Sequence, residues 1–450
     1  ARFDFGPFRE KKNPYQHDGW VNLGPRAGFA YNIDGRGKTV IRGGWGVLFT
    51  PQMPAVVRQA AANRDIPFRI RWSRAEAQRL NLRWPMYTDE MAAIAERDIA
   101  ASGRKFVFSV LNPGLQNPYT MHYQLNVQRA LTNTLMIESG YVGVRGVKFV
   151  LHRRFNEVDR FTGERPNPNI IPGGYYVDNT QNTVYNAWQT SLRKRFSQGL
   201  TFDFHYTWGK GLGVTGGDVG AYYGADADVA IQEFTNPKAD RSVNTGDATH
   251  RFHADWIYEL PFFRTSGHPF LRHTIGGWQV SGIFSNRSGE PINITQSCAS
   301  DRHCRPDYVG GKPIIANFRN TQSSRCVPGA RCGVNYLNLE AFRAVPVNSR
   351  SQVTVRPGTL GAFALRNPST WSVDLSLAKN LRIREGLSLQ IRADAFNALN
   401  HVNYGGPGTG INSNRFEAET NRILPGTGSF GEINGAGGMR VIQLNARLSF

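Results

Sequence analysis

No stretch of this 450-residue chain stays apolar for the roughly 18 residues that a membrane-crossing helix needs. A helical membrane protein is thereby excluded. Barrel strands escape that exclusion, because they alternate in polarity over about ten residues and leave mean hydropathy low, here -0.41. Acidic residues are also short, 34 Asp and Glu against 53 Lys and Arg, for a formal net charge of +19. Such an excess invites nucleic acid as a partner, yet no basic stripe, helix-turn-helix, zinc finger or RNA-recognition motif accompanies it. Many basic residues sit in loops and at strand ends, as at Arg153, Arg154 and Arg193 to Arg195. There they suit anionic lipid headgroups, a solvated rim or a lumen for acidic solutes. Cysteine is scarce and confined to one stretch, Cys298, Cys304, Cys326 and Cys332. Its C-x5-C spacings fit neither zinc knuckles nor a redox pair. Two disulfides in one loop outside the cytosol are expected, with local pairs Cys298–Cys304 and Cys326–Cys332 favoured because each closes a small ring. No linker or low-complexity tract divides the chain, so one domain over residues 1–450 is expected.

Glycine (48 residues) and aromatics (12%) are plentiful, and turn clusters separate short alternating segments. Candidate strands cover 1–8, 24–34, 38–49, 119–131, 134–149, 184–197, 200–210, 248–260, 275–288, 370–380, 387–398 and 439–450. Their connections alternate strictly. Short turns (Asp34–Lys38, Leu131–Thr134, Ser197–Gly199, Pro261–Thr274, Asn380–Gly386) interleave with long excursions (Thr50–Pro118, His152–Thr183, Gly211–Asp247, Gly289–Ser369, Asn400–Gly438). An up-and-down transmembrane barrel sorts its loops in this way, one rim to the periplasm and one to the outside; a soluble sandwich has no reason to. The fold expected is therefore all-β, an antiparallel barrel wall of about twelve strands with long extracellular loops. Ser73 to Ala101, opened by a Ser73/Glu76 capping box, is expected to form one helical insertion in the first of them.

The faces agree with that reading. Leu200, Phe202, Phe204, Tyr206 and Trp208 oppose Thr201, Asp203, His205 and Thr207. Trp371, Val373, Leu375 and Leu377 oppose Ser372, Asp374 and Ser376, and Leu387, Leu389, Ile391, Ala393 and Ala395 oppose Gln390, Arg392 and Asp394. The polar set would line a wet lumen, which makes Asp203, His205, Arg251, His253, Asp255, Asp374, Arg392 and Asp394 candidates for solute contact, or else a self-paired lining. Trp208 and Trp371 fall at outer strand ends, Tyr258 and Trp278 at inner ends, as two aromatic girdles would. In the last strand Ile442, Leu444, Ala446, Leu448 and Phe450 share one face and Val441, Gln443, Asn445, Arg447 and Ser449 the other.

Several blocks resemble the C-terminal barrel of TonB-dependent outer-membrane receptors of the Oar-like group, whose N-terminus carries a carboxypeptidase-regulatory-like domain. They are Gly24-Pro-Arg-Ala-Gly-Phe-Ala30, Lys38-Thr-Val-Ile-Arg-Gly-Gly-Trp-Gly46, Asn117-Pro-Tyr-Thr120 through Gln128-Arg129, and Tyr185-Asn-Ala-Trp-Gln-Thr-Ser-Leu-Arg-Lys-Arg-Phe196. His250-Arg-Phe252, Tyr258-Glu-Leu-Pro-Phe262, Gly277-Trp-Gln-Val-Ser-Gly282 and Ala393-Asp-Ala-Phe-Asn-Ala-Leu-Asn-His401 follow in family order. The resemblance implies a barrel of about 22 strands, an N-terminal plug, and coupling to TonB, ExbB and ExbD; plug, TonB box and regulatory-like domain are expected upstream of this sequence. It implies that Ile442, Leu444, Leu448 and Phe450 form the signal read by the barrel-assembly machinery. The expected role is binding and import of a solute at the bacterial outer membrane, amid lipid and lipopolysaccharide. A passive pore or adhesive barrel, and a soluble basic all-β binding protein, are the alternatives.

No catalytic constellation is present, and an enzyme is not expected. His250 and His253 lie three apart on a strand, so they face opposite ways and cannot readily chelate one metal. The run Gly209 to Gly213 lacks the strand-loop-helix setting of a phosphate cradle. Asp218, Asp226, Asp228 and Glu233 could ligate Ca²⁺ through hard oxygens, but match no EF-hand; solvated loop acids are the plainer reading, and no cofactor is expected.

Overall fold

The computed structural model describes residues 22–49, 73–81, 110–112, 116–154, 156–168, 175–214, 231–263, 267–298, 302–323, 333–384 and 386–450, with a few positions between 93 and 101. Eleven long strands run through one sheet in chain order. They are β1 (Arg26–Asn32), β2 (Thr39–Phe49), β3 (Tyr119–Ala130), β4 (Leu135–Arg154), β5 (Tyr175–Ser197), β6 (Leu200–Gly213), β7 (His250–Glu259), β8 (Trp278–Arg287), β9 (Thr370–Arg384), β10 (Leu387–Phe396) and β11 (Val441–Ser449). Each pairs antiparallel with its sequence neighbours. The fold is all-β with almost no helix among the described residues, and every expected strand but one is present. That one, 1–8, lies outside the described residues. Among the described residues β1 and β11 are the two edges of the sheet and do not pair with each other.

The short turns carry their own chemistry. Asp34 Oδ1 accepts from the backbone N–H groups of Arg36 (3.0 Å) and Lys38 (3.1 Å), closing the hairpin between β1 and β2. Gln198 and Gly199 both have positive φ, 53° and 76°, the left-handed pair that a two-residue hairpin loop requires. Three lengths depart from expectation. β5 begins at Tyr175 and β4 runs on to Arg154, because the charges at 153–178 that read as loop satisfy one another: Arg153 pairs with Asp178, with its guanidinium over the Tyr176 and Phe234 rings. β9 extends to Arg384. The expected helix at 73–101 appears as α1 (Arg74–Arg79), with the Ser73/Glu76 capping box formed; most of the remainder lies outside the described residues. A second short helix, α2 (Pro269–Thr274), occupies the turn between β7 and β8.

Cross-strand glycines on the apolar face are covered by aromatic rings. A Cβ built on Gly43, Gly143 or Gly282 would meet Phe29, Tyr123 or Trp256 at 2.3, 2.0 or 2.3 Å. The wall itself holds little core. The largest fully buried side chains, Phe342, Phe430, Leu151, Ile294, Leu337, Ile411, Ile423, Ile433, Val177, Val345 and Val353, all belong to the long connections or the long-loop ends of β4 and β5. The segments 289–369 and 397–440 pack there around Ile294, Leu337, Phe342, Ile411 and Phe430. They are tied by two-residue ladders such as Val334-Asn335 with Glu432-Ile433. The long loops thus build a folded cap on one rim.

Candidate functional site

Pairing register sets all eight candidate lumen residues on the polar face. Asp203 faces Asp255 and His205 faces His253; Asp255 faces Ile283, which faces Asp374; Asp394 faces Ser376 and Arg392 faces Ala378. Arg251 faces Thr207 on one side and Arg287 on the other. Across β6 to β9 this face is graded in charge. Beyond an uncharged row at the short turns (Thr201, Ile257, Ser281, Ser376) comes an acidic row (Asp203, Asp255 and Asp374, with Ile283), then a row of His205, His253, Ser285 and Ser372, and Thr207, Arg251, Arg287 and Thr370 lie nearest the cap.

Much of this lining is internally paired. Arg193 Nε donates to Asp203 Oδ2 (2.8 Å), and His205 Nε2 lies 2.9 Å from Asp203 Oδ1. His253 and Asp255 approach to 3.7 Å, Arg392 Nε donates to Asp394 Oδ1 (2.7 Å), and Asp374 accepts from the Asn397 N–H (2.7 Å). Arg193, Ser285 and Arg287 share this face but were not among the residues singled out from the sequence, although the same period-two reading would have found them. The surface offers hydrogen-bond donors and acceptors to a polar solute. Among the described residues no three His, Cys, Asp or Glu are grouped to hold a metal.

On the apolar face Trp208 sits beside Trp188, both about half exposed. Trp371 stacks on His401 at 3.9 Å; burial, reinforced by the charge of Arg319, holds the His401 imidazole below its ordinary range. At the short-turn rim Tyr258 faces Leu200 and Val280, and Trp278 faces Lys379. The Lys379 ammonium lies over the Trp278 ring and donates to the Thr274 and Gly276 carbonyls. Ile442, Leu444 and Leu448 face Ala395, Ala393 and Leu389, and Phe450 follows β11, 98% exposed.

The cap is locked by charge. A disulfide joins Cys298 to Cys304, and Arg302, inside that ring, pairs with Glu157 (3.1 Å) and Glu233 (3.6 Å) from two other loops. Arg160 also binds Glu233 and donates to Thr354 O (2.6 Å) and Oγ1 (2.7 Å). Arg305 and Asp240, 3% and 4% exposed, form a fully desolvated pair. Burial opposes ionisation of Asp307, but hydrogen bonds from Arg356 and Thr359 outweigh it and hold the carboxyl below its ordinary range. Burial pushes the Tyr336 hydroxyl, which donates to Arg366 O, up to about 12. Of the loop acids weighed as Ca²⁺ ligands, Glu233 is thus committed to arginines; Asp218, Asp226 and Asp228, like Cys326 and Cys332, lie outside the described residues.

The family described as outer membrane beta barrel domain matches residues 5–443. No curated protein matches the sequence. Among solved structures, the outer membrane transporter YddB from Escherichia coli is 9% identical with a TM-score of 0.44, over 95% of this chain and 41% of that one. The ferric enterobactin receptor PfeA of Pseudomonas aeruginosa, solved as a mutant, gives 8% and 0.42 over 95% and 40%. The ferripyoverdine receptor of the outer membrane of Pseudomonas aeruginosa gives 11% and 0.39 over 95% and 33%. The chain spans less than half the length of each.

Proposed function

Since the chain belongs to the outer membrane beta barrel domain family and so has its place in the bacterial outer membrane, we propose that it is the C-terminal barrel of a TonB-dependent, Oar-like receptor that binds and imports a solute. Family membership sets aside the soluble binding protein. The cap carries the proposal: three long connections are joined through the Arg160, Arg302 and Arg305 pairs, a fourth packs on them through the apolar cluster, and together they form a surface on which a solute can be selected before it meets the lumen. The ordered series of motifs from Gly24 to His401 supports the Oar-like assignment. Energy would come from TonB, ExbB and ExbD through an N-terminal part, with no enzymatic step. Lipopolysaccharide would surround the long-loop rim, and the assembly machinery would read Ile442 to Phe450.

Planar-bilayer recording on the full-length gene product tests this reading. A receptor of this type gives no steady open current, whereas an ohmic channel open at rest would establish the passive pore instead.

A further inference from the structure

The geometry points to an oxyanion-binding site at the cap end of the polar face, built by Arg251 and Arg287, for a carboxylate or phosphate group on the solute. It rests on the receptor reading and names the chemistry of the ligand. The two arginines are direct cross-strand partners on β7 and β8, where like charges repel. Their guanidinium groups converge on one acceptor: Arg251 Nη2 and Arg287 Nη2 donate to Gly246 O at 3.3 and 3.0 Å. The two nitrogens are therefore no further apart than those distances laid end to end, a gap that a single oxyanion can bridge with a hydrogen bond to each.

One carbonyl cannot satisfy two forks of five N–H donors each. Arg287 Nε is shielded from solvent and has no hydrogen-bond partner, and no carboxylate pairs with Arg251 among the described residues. Asp247, the buried acid that follows Gly246 in sequence, is consumed by Arg366 and by the Gly211 N–H. Asp255 lies four residues along β7 from Arg251, about 13 Å away and beyond effective screening range. Among the described residues the one carboxylate paired with either arginine is Glu290, 2.9 Å from Arg287 with its side chain 52% exposed. A ligand oxyanion would compete with this half-exposed carboxylate for Arg287.

The test is calorimetric titration of the full-length protein in nanodiscs with citrate and, separately, inorganic phosphate. Saturable binding of citrate assigns a carboxylate ligand, and of phosphate a phosphate ligand. Arg251→Gln or Arg287→Gln weakens that binding about tenfold or more, Glu290→Gln tightens it, and Arg350→Gln in the cap leaves it unchanged. Heat-modifiable gel migration verifies that each variant is folded. Binding of neither anion, or wild-type affinity in both arginine variants, overturns the site. An open ohmic channel that still binds anions through Arg251 and Arg287 would instead overturn the receptor reading and leave the site standing.

Discussion

Replacing Asp240 with Ala isolates the energetics of the cap. Asp240 and Arg305 are 4% and 3% exposed. Arg305 Nε also donates to Leu360 O at 2.9 Å, and Asp240 Oδ2 accepts the Gln232 N–H at 2.8 Å. Removing the carboxylate strands a buried guanidinium, a change that costs about 3–5 kcal/mol. By contrast the Arg350–Glu164 pair, with both side chains more than two-thirds exposed, is worth at most about 1 kcal/mol. Local opening of the cap should therefore rise by roughly a hundredfold to several thousandfold, read as faster amide hydrogen exchange across 231–241 and 302–308 while β6 to β9 keep their protection. The double replacement Asp240→Leu with Arg305→Met removes both charges and should restore most of the protection. Unchanged exchange in Asp240→Ala, or loss spread evenly over cap and wall, would refute the claim that this pair holds the loops together.

The wall and the cap each offer further tests. Gly282→Val drives a side chain into the Trp256 ring, which a bare Cβ already meets at 2.3 Å. It should cost about 1–3 kcal/mol, seen as a lower denaturant midpoint by Trp fluorescence. For Tyr336, whose hydroxyl is raised from 10.0 to about 12, the neutral form is favoured in the folded cap. Its stabilisation is complete below pH 10 and is lost as pH rises through about 12; a late tyrosinate absorbance step, absent from Tyr336→Phe, should report it. Asp307 has the opposite sign, since its carboxyl lies below 3.8 when folded. Its contribution is present above that pH and fades as pH falls through the lowered value, so cap proteolysis should increase in acid, and less so in Asp307→Asn.

The wall was legible because each strand divides two environments and repeats with period two; Leu200 to Trp208 alone displays both faces. Turn chemistry at Asp34 and at Gln198-Gly199 set the short rim by local rules. The cap was not legible. Ile294, Phe342 and Phe430 come together from two separate connections with no periodicity to link them, and Glu233 read as a solvated loop acid because its partners Arg160 and Arg302 are far away in sequence. The strand ends at Arg154 and Tyr175 were misplaced for a related reason: an Arg153–Asp178 pair looks like loop until its partner is known. Alternation sufficed to put the eight candidate lumen residues on one shared face of the sheet, but their row-by-row order needed the register.

Spin labels placed singly at residues 201 to 208 of the protein in lipid bilayers test most directly whether the polar face meets water and the apolar face meets lipid. Oxygen, which partitions into lipid, should relax labels at 202, 204, 206 and 208 most strongly. A water-soluble nickel chelate should reach those at 201, 203, 205 and 207. Equal access of both reagents to the two sets, or the reverse assignment, would contradict a barrel wall built from these strands.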